Sequence, residues 1–202
     1  MPSTLSYRYG AVSMTFHWLI AALVLTNVVL GLSFDYLQRG SETLLEVVLV
    51  HKSIGLTILV LSVLRLVWRL MHKAPPLPAD MNPALKFLSR AAHVLLYVLI
   101  IALPLTGWAI VSASSLGVPT HYFGLFDWPN LPYFPTLPRE QRAPYHELFE
   151  DTHSLLAWTA IALVVLHVGA ALFHQFVRRD DVLRRMLPGT HVQPPSPGAT
   201  KA

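Results

Sequence analysis

Long apolar runs alternate with short polar segments along this chain, and there are four such runs. The first extends from Ala11 to about Phe34 and meets no charge before Asp35. The second, Val47 to about Leu70, carries Lys52, Arg65 and Arg69 near its ends. The third runs from about Phe87 to Ala113, and the fourth, Thr152 to Val177, is uncharged throughout. Wound as a helix at ~1.5 Å per residue, each run crosses about 30 Å of hydrocarbon, and a helix satisfies its own backbone there. The pattern predicts an all-α integral membrane protein. Its core is a four-transmembrane-helix bundle with spans at about 11–34, 47–70, 87–113 and 152–177, within a domain of residues 1–188.

The connections carry their own signals. Ala74 to Pro83 holds four prolines and reads as a hinge rather than a helix. The longest connection, Ser114 to Pro144, contains Tyr122, Phe123, Phe126, Trp128, Tyr133 and Phe134 and predicts a folded cap at the membrane interface. Pro104 and Gly107 should kink or loosen the third helix. Residues 189–202 are rich in Pro, Gly, Ser and Thr and predict a disordered tail.

Composition agrees with the pattern: 53% of the 202 residues are hydrophobic and 13% are charged. That balance suits a small membrane protein and not a soluble domain. With the N-terminus inside, eleven of the fifteen Lys and Arg residues fall on the inner side and eight of the eleven acidic residues on the outer. This asymmetry places both termini in the cytoplasm. The basic residues flank apolar spans instead of forming a polar domain, which excludes nucleic acid as a partner and leaves membrane lipid. The first run is longer than the apolar region of a signal peptide and no small-residue cleavage site follows it, so it is expected to be retained. The chain has no cysteine, which excludes disulfides, iron–sulfur clusters and covalent C-x-x-C-H haem attachment.

Histidine supplies the candidate chemistry. His146, His153, His167 and His174 share one register, with spacings of seven, fourteen and seven residues and Ala160 at the skipped position. Seven residues is close to two turns, so the four project from one stripe of a helix. The rise from His153 to His167 is about 21 Å, most of the thickness of a bilayer core. Depth along the spans sorts the histidines into two layers. His17, His93, His167 and His174 lie toward the inner side; His51, His153 and His146 lie toward the outer. His72, His121 and His191 fall in connections or the tail. Imidazole is rare inside an apolar span and usually functional there.

Two layers fit metal-bearing macrocycles in the core of a four-helix bundle. His17 with His167 would clamp an inner haem iron, and His51 with His153 an outer one. Gly55, one turn after His51, and Gly169 are expected to give the flat rings room. Zinc would need three or four ligands at one depth, and the inner halves of the spans hold no carboxylate. His146, Glu147, Glu150 and His153 form an alternative outer zinc set, whose simpler reading is a solvated helix start. His146 and His174, near the span ends, can equally reach water or headgroups.

These residues resemble the bacterial cytochrome b561 family. The resemblance rests on Phe16-His17-Trp18, on His51-Lys52-Ser53-Ile54-Gly55, and on His93 followed by Ala102-Leu103-Pro104 and Gly107. It also rests on the spacing of His153 and His167 and on Arg184-Arg185-Met186-Leu187-Pro188. It covers about residues 7–188. It implies a multi-pass electron carrier of the bacterial inner membrane with two non-covalent b haems, held by His17, His51, His153 and His167. Further, it implies a superoxide oxidase passing electrons from periplasmic superoxide to ubiquinone. Residues matching the family's quinone pocket would be His93, His174 and Thr15, with His93 and His174 as a proton relay. One basic position before the first helix is replaced here by Ala11.

Superoxide is an anion and the outer loops are net negative, so Lys52, with Arg139 and Arg142, is expected to supply the local attraction. Bis-histidine ligation leaves no open position at iron. Two other readings compete. One is a cytochrome b subunit that links a dehydrogenase or hydrogenase partner to the quinone pool. The other is a non-redox transporter, which predicts no haem spectrum.

Overall fold

The computed structural model describes residues 8–72, 74–77, 81–115 and 119–190. Among these residues four long helices dominate: α1 (Ala11–Ser33), α2 (Glu42–Met71), α3 (Pro83–Ala113) and α4 (Arg139–Phe173). All four are long and apolar enough to cross a membrane. In chain order each packs on the next, α1 on α2, α2 on α3 and α3 on α4. Ring contacts described below join α4 to both α1 and α2.

Local chemistry sets the helix ends. The Ser41 hydroxyl caps α2 by accepting from the Leu44 N–H at 3.1 Å. The Asn82 side chain accepts from the Ala84 N–H at 2.8 Å, and Pro83 takes the first helical position, where no N–H is needed. Pro104 sits inside α3, which continues through it to Ala113. At the inner end α4 passes into a π-helical turn, His174–Arg178, which ends at Arg179 in the left-handed conformation with φ 53°.

α2 is the central helix. Its buried residues are Ser53, Ile54, Leu56, Ile58, Leu59 and Ser62, and the two serines are wholly enclosed. Small side chains let neighbouring backbones approach, which is how helices associate when the solvent is itself apolar. Outward, large apolar side chains such as Val29, Leu70, Val94 and Val165 stay exposed. In water that surface would aggregate; in a bilayer it is the lipid-facing girdle.

Three of the helices begin earlier than the apolar runs, while α1 begins at Ala11 as expected. α2 starts at Glu42 and not Val47, α3 at Pro83 and not Phe87, and α4 at Arg139 and not Thr152. Charged helix formers lengthen these helices beyond the apolar core, and hydropathy is blind to them. Pro144 forgoes only the bond to the Glu140 carbonyl. With its π turn α4 spans 40 residues, and at ~1.5 Å each that is about twice the hydrocarbon thickness. Its outer third therefore stands clear of the membrane.

The cap packs on that projecting segment: Phe134 is buried against Tyr145 and Phe149, at ring-centroid distances of 5.8 and 5.9 Å. The cap also departs from the all-α expectation. It contains a two-stranded antiparallel hairpin, β1 (Thr120–Tyr122) and β2 (Phe126–Trp128). Strands of three residues leave no readable alternation in the sequence. Within the segment expected to form a hinge, residues 74–77 are non-helical and 78–80 lie outside the described residues. Of the tail expected from 189 onward, residues 191–202 lie outside the described residues.

On the inner side the chain closes on itself. The Tyr9 N–H donates to the Arg185 carbonyl at 3.2 Å, Arg8 donates to the Leu187 carbonyl at 2.8 Å, and Trp18 Nε1–H donates to the Met186 carbonyl at 2.7 Å. The start of α1 is thereby fixed to the segment after α4.

Candidate functional site

Two histidine pairs face one another across the bundle, at two depths. In the outer pair His51 of α2 meets His153 of α4, with ring centroids 6.4 Å apart and ring planes at 72°. In the inner pair His17 of α1 meets His167 of α4, at 6.3 Å and 82°. Between the two α4 histidines the stripe passes Ala160, which is buried.

The outer pair is held by all four helices. His51 Nδ1–H donates to the Asn27 carbonyl of α1 at 3.1 Å. His153 Nδ1 lies 2.9 Å from the Thr106 hydroxyl of α3. That hydroxyl has a single proton, and it donates it to the Leu103 carbonyl at 2.8 Å. Thr106 must therefore accept from His153 Nδ1–H. Both rings are fixed in the tautomer that leaves Nε2 with a free lone pair, the arrangement of metal-binding imidazoles with an outer hydrogen-bond partner.

Glycines give these rings their space. A Cβ on Gly31 would lie 3.1 Å from His51 Cε1, and one on Gly107 3.4 Å from His153 Cε1. The glycines expected to make room, Gly55 and Gly169, do not face the pairs. A Cβ on Gly55 would meet the Asn27 side chain at 3.6 Å, and one on Gly169 would meet nothing within 4 Å. The close approach comes from α1 and α3, the helices opposite, and not from α2 and α4 themselves.

The inner pair has a different environment. His93 of α3 lies edge-on to His167 at 5.5 Å, and Trp18 flanks His17 at 5.1 Å. His17 Nδ1 is buried with no hydrogen-bond partner among the described residues. From α2, Arg65 stacks its guanidinium over the Tyr97 ring at 5.3 Å and lies within electrostatic reach of both His17 and His167. Among the described residues no carboxylate pairs with it.

The remaining expected residues separate. His174 Nδ1 meets Asp180 at 2.6 Å. Asp180, with Gln175, Phe176, Arg179 and Arg184, lines a cavity of about 340 Å³ at the inner end of α4. Thr15 is exposed on α1, and neither it, nor His93, nor His174 itself lines that cavity. His146 meets Glu150 one turn along the solvated end of α4 at 3.6 Å, and His121 pairs with Asp127 across the hairpin. Lys52 is half-buried beside His51. Arg142 donates to the Pro135 and Leu137 carbonyls, each at 3.0 Å, and so braces the cap.

The spacing of the pairs bears on which prosthetic group they could hold. Imidazoles trans on one metal, with metal–nitrogen bonds of about 2.0 Å, have centroids roughly 6 Å apart. The observed 6.3 and 6.4 Å meet that condition. A structural zinc site gathers three or four ligands, and no group of three His, Asp or Glu converges among the described residues. Paired imidazoles, the outer two backed by Gly31 and Gly107, suit the two faces of a flat macrocycle such as haem b. Asn27, Thr106, Arg65 and Gly31 were missed as parts of these sites. Asn27 and Thr106 did carry a signal, since each is a polar side chain within an apolar span.

Comparison with known proteins gives the same family. Residues 8–189 match the family model described as prokaryotic cytochrome b561. The chain is 35% identical over 181 residues to cytochrome b561 homolog 2 of Escherichia coli (strain K12), covering 89% of this chain and 91% of the relative. It is 28% identical over 186 residues to the probable superoxide oxidase CybB of Yersinia pestis, covering 90% and 96%. Cytochrome b561 homolog 1 of Escherichia coli (strain K12) is 28% identical over 185 residues, covering 90% and 97%.

Proposed function

The chain belongs to the prokaryotic cytochrome b561 family of membrane electron-transfer proteins, and from that premise we propose that it is a superoxide:ubiquinone oxidoreductase of the inner membrane. Two superoxide anions, one ubiquinone and two protons would give two dioxygen and one ubiquinol. The observation that carries the electron-transfer reading is the pair of imidazole clamps at two depths, 6.3 and 6.4 Å across. The choice of superoxide is supported by the name of the 28% identical relative and by a cation, Lys52, beside the outer clamp.

In this reading His51 with His153, and His17 with His167, each hold a non-covalent b haem. When bound, these groups supply one-electron carriers at the outer and inner sides. The protein's own residues do the rest. Asn27 and Thr106 fix the tautomers of the outer ligands. Gly31 and Gly107 keep the rings' approach clear. Arg65 sets a positive charge beside the inner pair, where it can meet an acidic edge of the prosthetic group. His174, whose partner Asp180 lines the inner cavity, is the residue best placed to pass a proton toward a quinone; His93 and Thr15 complete the proposed pocket less directly.

The deciding experiment is stopped-flow reduction of the purified holoprotein by a superoxide pulse with ubiquinone in the same detergent. Rapid reduction followed by ubiquinol formation is expected. A protein that dithionite reduces but superoxide does not would overturn the superoxide assignment and leave the electron carrier intact. Lys52→Glu should slow reduction by superoxide, most strongly at low ionic strength. An unchanged rate across a low-salt series would remove Lys52 from the approach path. Thr106→Val should loosen the outer site by roughly 10–100-fold in haem retention, followed as transfer to apomyoglobin.

One observation favours a second reading, a cytochrome b subunit for a dehydrogenase or hydrogenase partner. Eight of the eleven acidic residues fall on the outer side, a field that repels superoxide and suits a basic protein donor. Co-purification with a periplasmic subunit, and reduction only through it, would establish that alternative.

A further inference from the structure

The hairpin in the outer cap is built unlike a loop that faces water. Tyr122 to Leu125 form its turn, closed by the Leu125 N–H on the Tyr122 carbonyl at 2.9 Å, with Phe123 at φ 48° and Gly124 at φ 72°. Positive φ at both central positions is the primed turn that suits a hairpin's twist, and Asn or Asp ordinarily fills the first of them. Here a phenylalanine occupies it despite the steric penalty on a bulky side chain. Phe123, Leu125 and Phe126 are 49%, 76% and 52% exposed. The tip is therefore a rigid, wholly apolar knob.

Its depth is fixed by α2. The Phe123 N–H donates to the Ser53 hydroxyl at 3.0 Å, and the Tyr122 hydroxyl meets Thr57 Oγ1 at 2.9 Å. Ser53 opens the uncharged stretch of α2 that runs to Leu64, directly after Lys52. The tip thus hangs beside the outer part of the apolar span, not above it. Polar groups follow directly behind the turn: His121 pairs with Asp127 in the middle of the ladder, and both are more than half exposed.

We propose that this hairpin is a lipid-inserted wedge, with Phe123, Leu125 and Phe126 seated among the outer-leaflet acyl chains just below the headgroups. The occupant is lipid because the tip is continuous with the lipid-facing surface of α2, whose Val60, Val63 and Leu64 are exposed below Thr57. The turn's Phe123 and Leu125 N–H groups have partners within the protein, which a bilayer demands of inserted backbone. The inference is independent of which donor reduces the protein.

Because the chain contains no cysteine, a single nitroxide can be placed without background. Holoprotein labelled at Leu125→Cys, and separately at Phe126→Cys, is reconstituted in phosphatidylcholine–phosphatidylglycerol nanodiscs. Val60→Cys serves as lipid reference and Tyr36→Cys, 88% exposed in the outer turn after α1, as water reference. Retention of the haem spectrum reports the fold of each variant. The tip labels are expected to match Val60: high collision with dissolved oxygen and several-fold lower collision with a water-soluble nickel chelate than at Tyr36. Collision with the nickel chelate at the Tyr36 level would overturn the wedge. Protection from both probes would also overturn it, by showing that protein covers the tip.

Discussion

Alanine at His153 is expected to remove one of two haems and leave the other spectrally intact, and alanine at His51 should remove the same one. His17→Ala and His167→Ala should remove the other. The expectation follows from the pairing: each α4 histidine meets a histidine of a different helix, at 6.4 Å for the outer pair and 6.3 Å for the inner. The Ala160 interval keeps the pairs about 21 Å apart along α4. A lost ligand at one depth has no substitute there among the outer rings, whereas His93, 5.5 Å from His167, is near enough to partly rescue the inner site. The outer variants should therefore show the cleaner loss. Haemochrome content of the purified proteins gives the number, and low-temperature spectra of the reduced forms say which component is gone. The pairing fails if His51→Ala and His17→Ala lose the same component, or if the unaltered chain binds fewer than two haems.

Much of this arrangement was legible because membrane insertion simplifies the physics. A span must be helical and apolar, so length and hydropathy give the helices, basic residues give their orientation, and an imidazole inside one stands out. Depth counted along the helices then brings His17 level with His167 and His51 level with His153. What stayed hidden depends on rotation of one helix against another. Gly55 looked suitable because it shares a face with His51, yet Gly31 on the opposing helix makes the close approach at 3.1 Å. Arg65 looked like an inner anchor on the positive-inside pattern, although its guanidinium turns over Tyr97 into the bundle. The early start of α4 was masked by the charges of Arg139–Asp151, which belong to a helix standing outside the membrane.

The two pairs differ in their hydrogen-bond partners and in the charge beside them. Both outer imidazoles donate Nδ1–H, to the Asn27 carbonyl and to Thr106. Such donation makes the ring a more basic ligand and favours oxidised iron. The inner pair lacks a comparable partner at His17 Nδ1 and has the Arg65 cation nearby. Both differences act to lower the outer potential relative to the inner one, against the opposing pull of the Lys52 cation beside His51.

Arg65→Met should therefore lower the midpoint potential of the inner site and leave the outer one nearly unchanged. For a separation on the order of 10 Å and an effective dielectric near 20, a unit charge is worth roughly 1.7 kcal/mol, or about 70 mV for one electron. Losing the cation destabilises the reduced state, so the shift is downward. Arg65→Lys should recover most of it, since the charge returns even though the stack on Tyr97 does not. A spectroelectrochemical titration resolves the two components, and equal shifts at both sites, or none, would show that Arg65 acts only as an anchor. The magnitude matters because a membrane potential negative inside opposes inward electron movement. Crossing about two-thirds of the hydrocarbon against 100 mV costs about 1.5 kcal/mol per charge. The Arg65 charge is of the same size, so its loss removes a contribution that offsets this cost. Arg65→Met should then slow quinol formation more in energised proteoliposomes than in detergent.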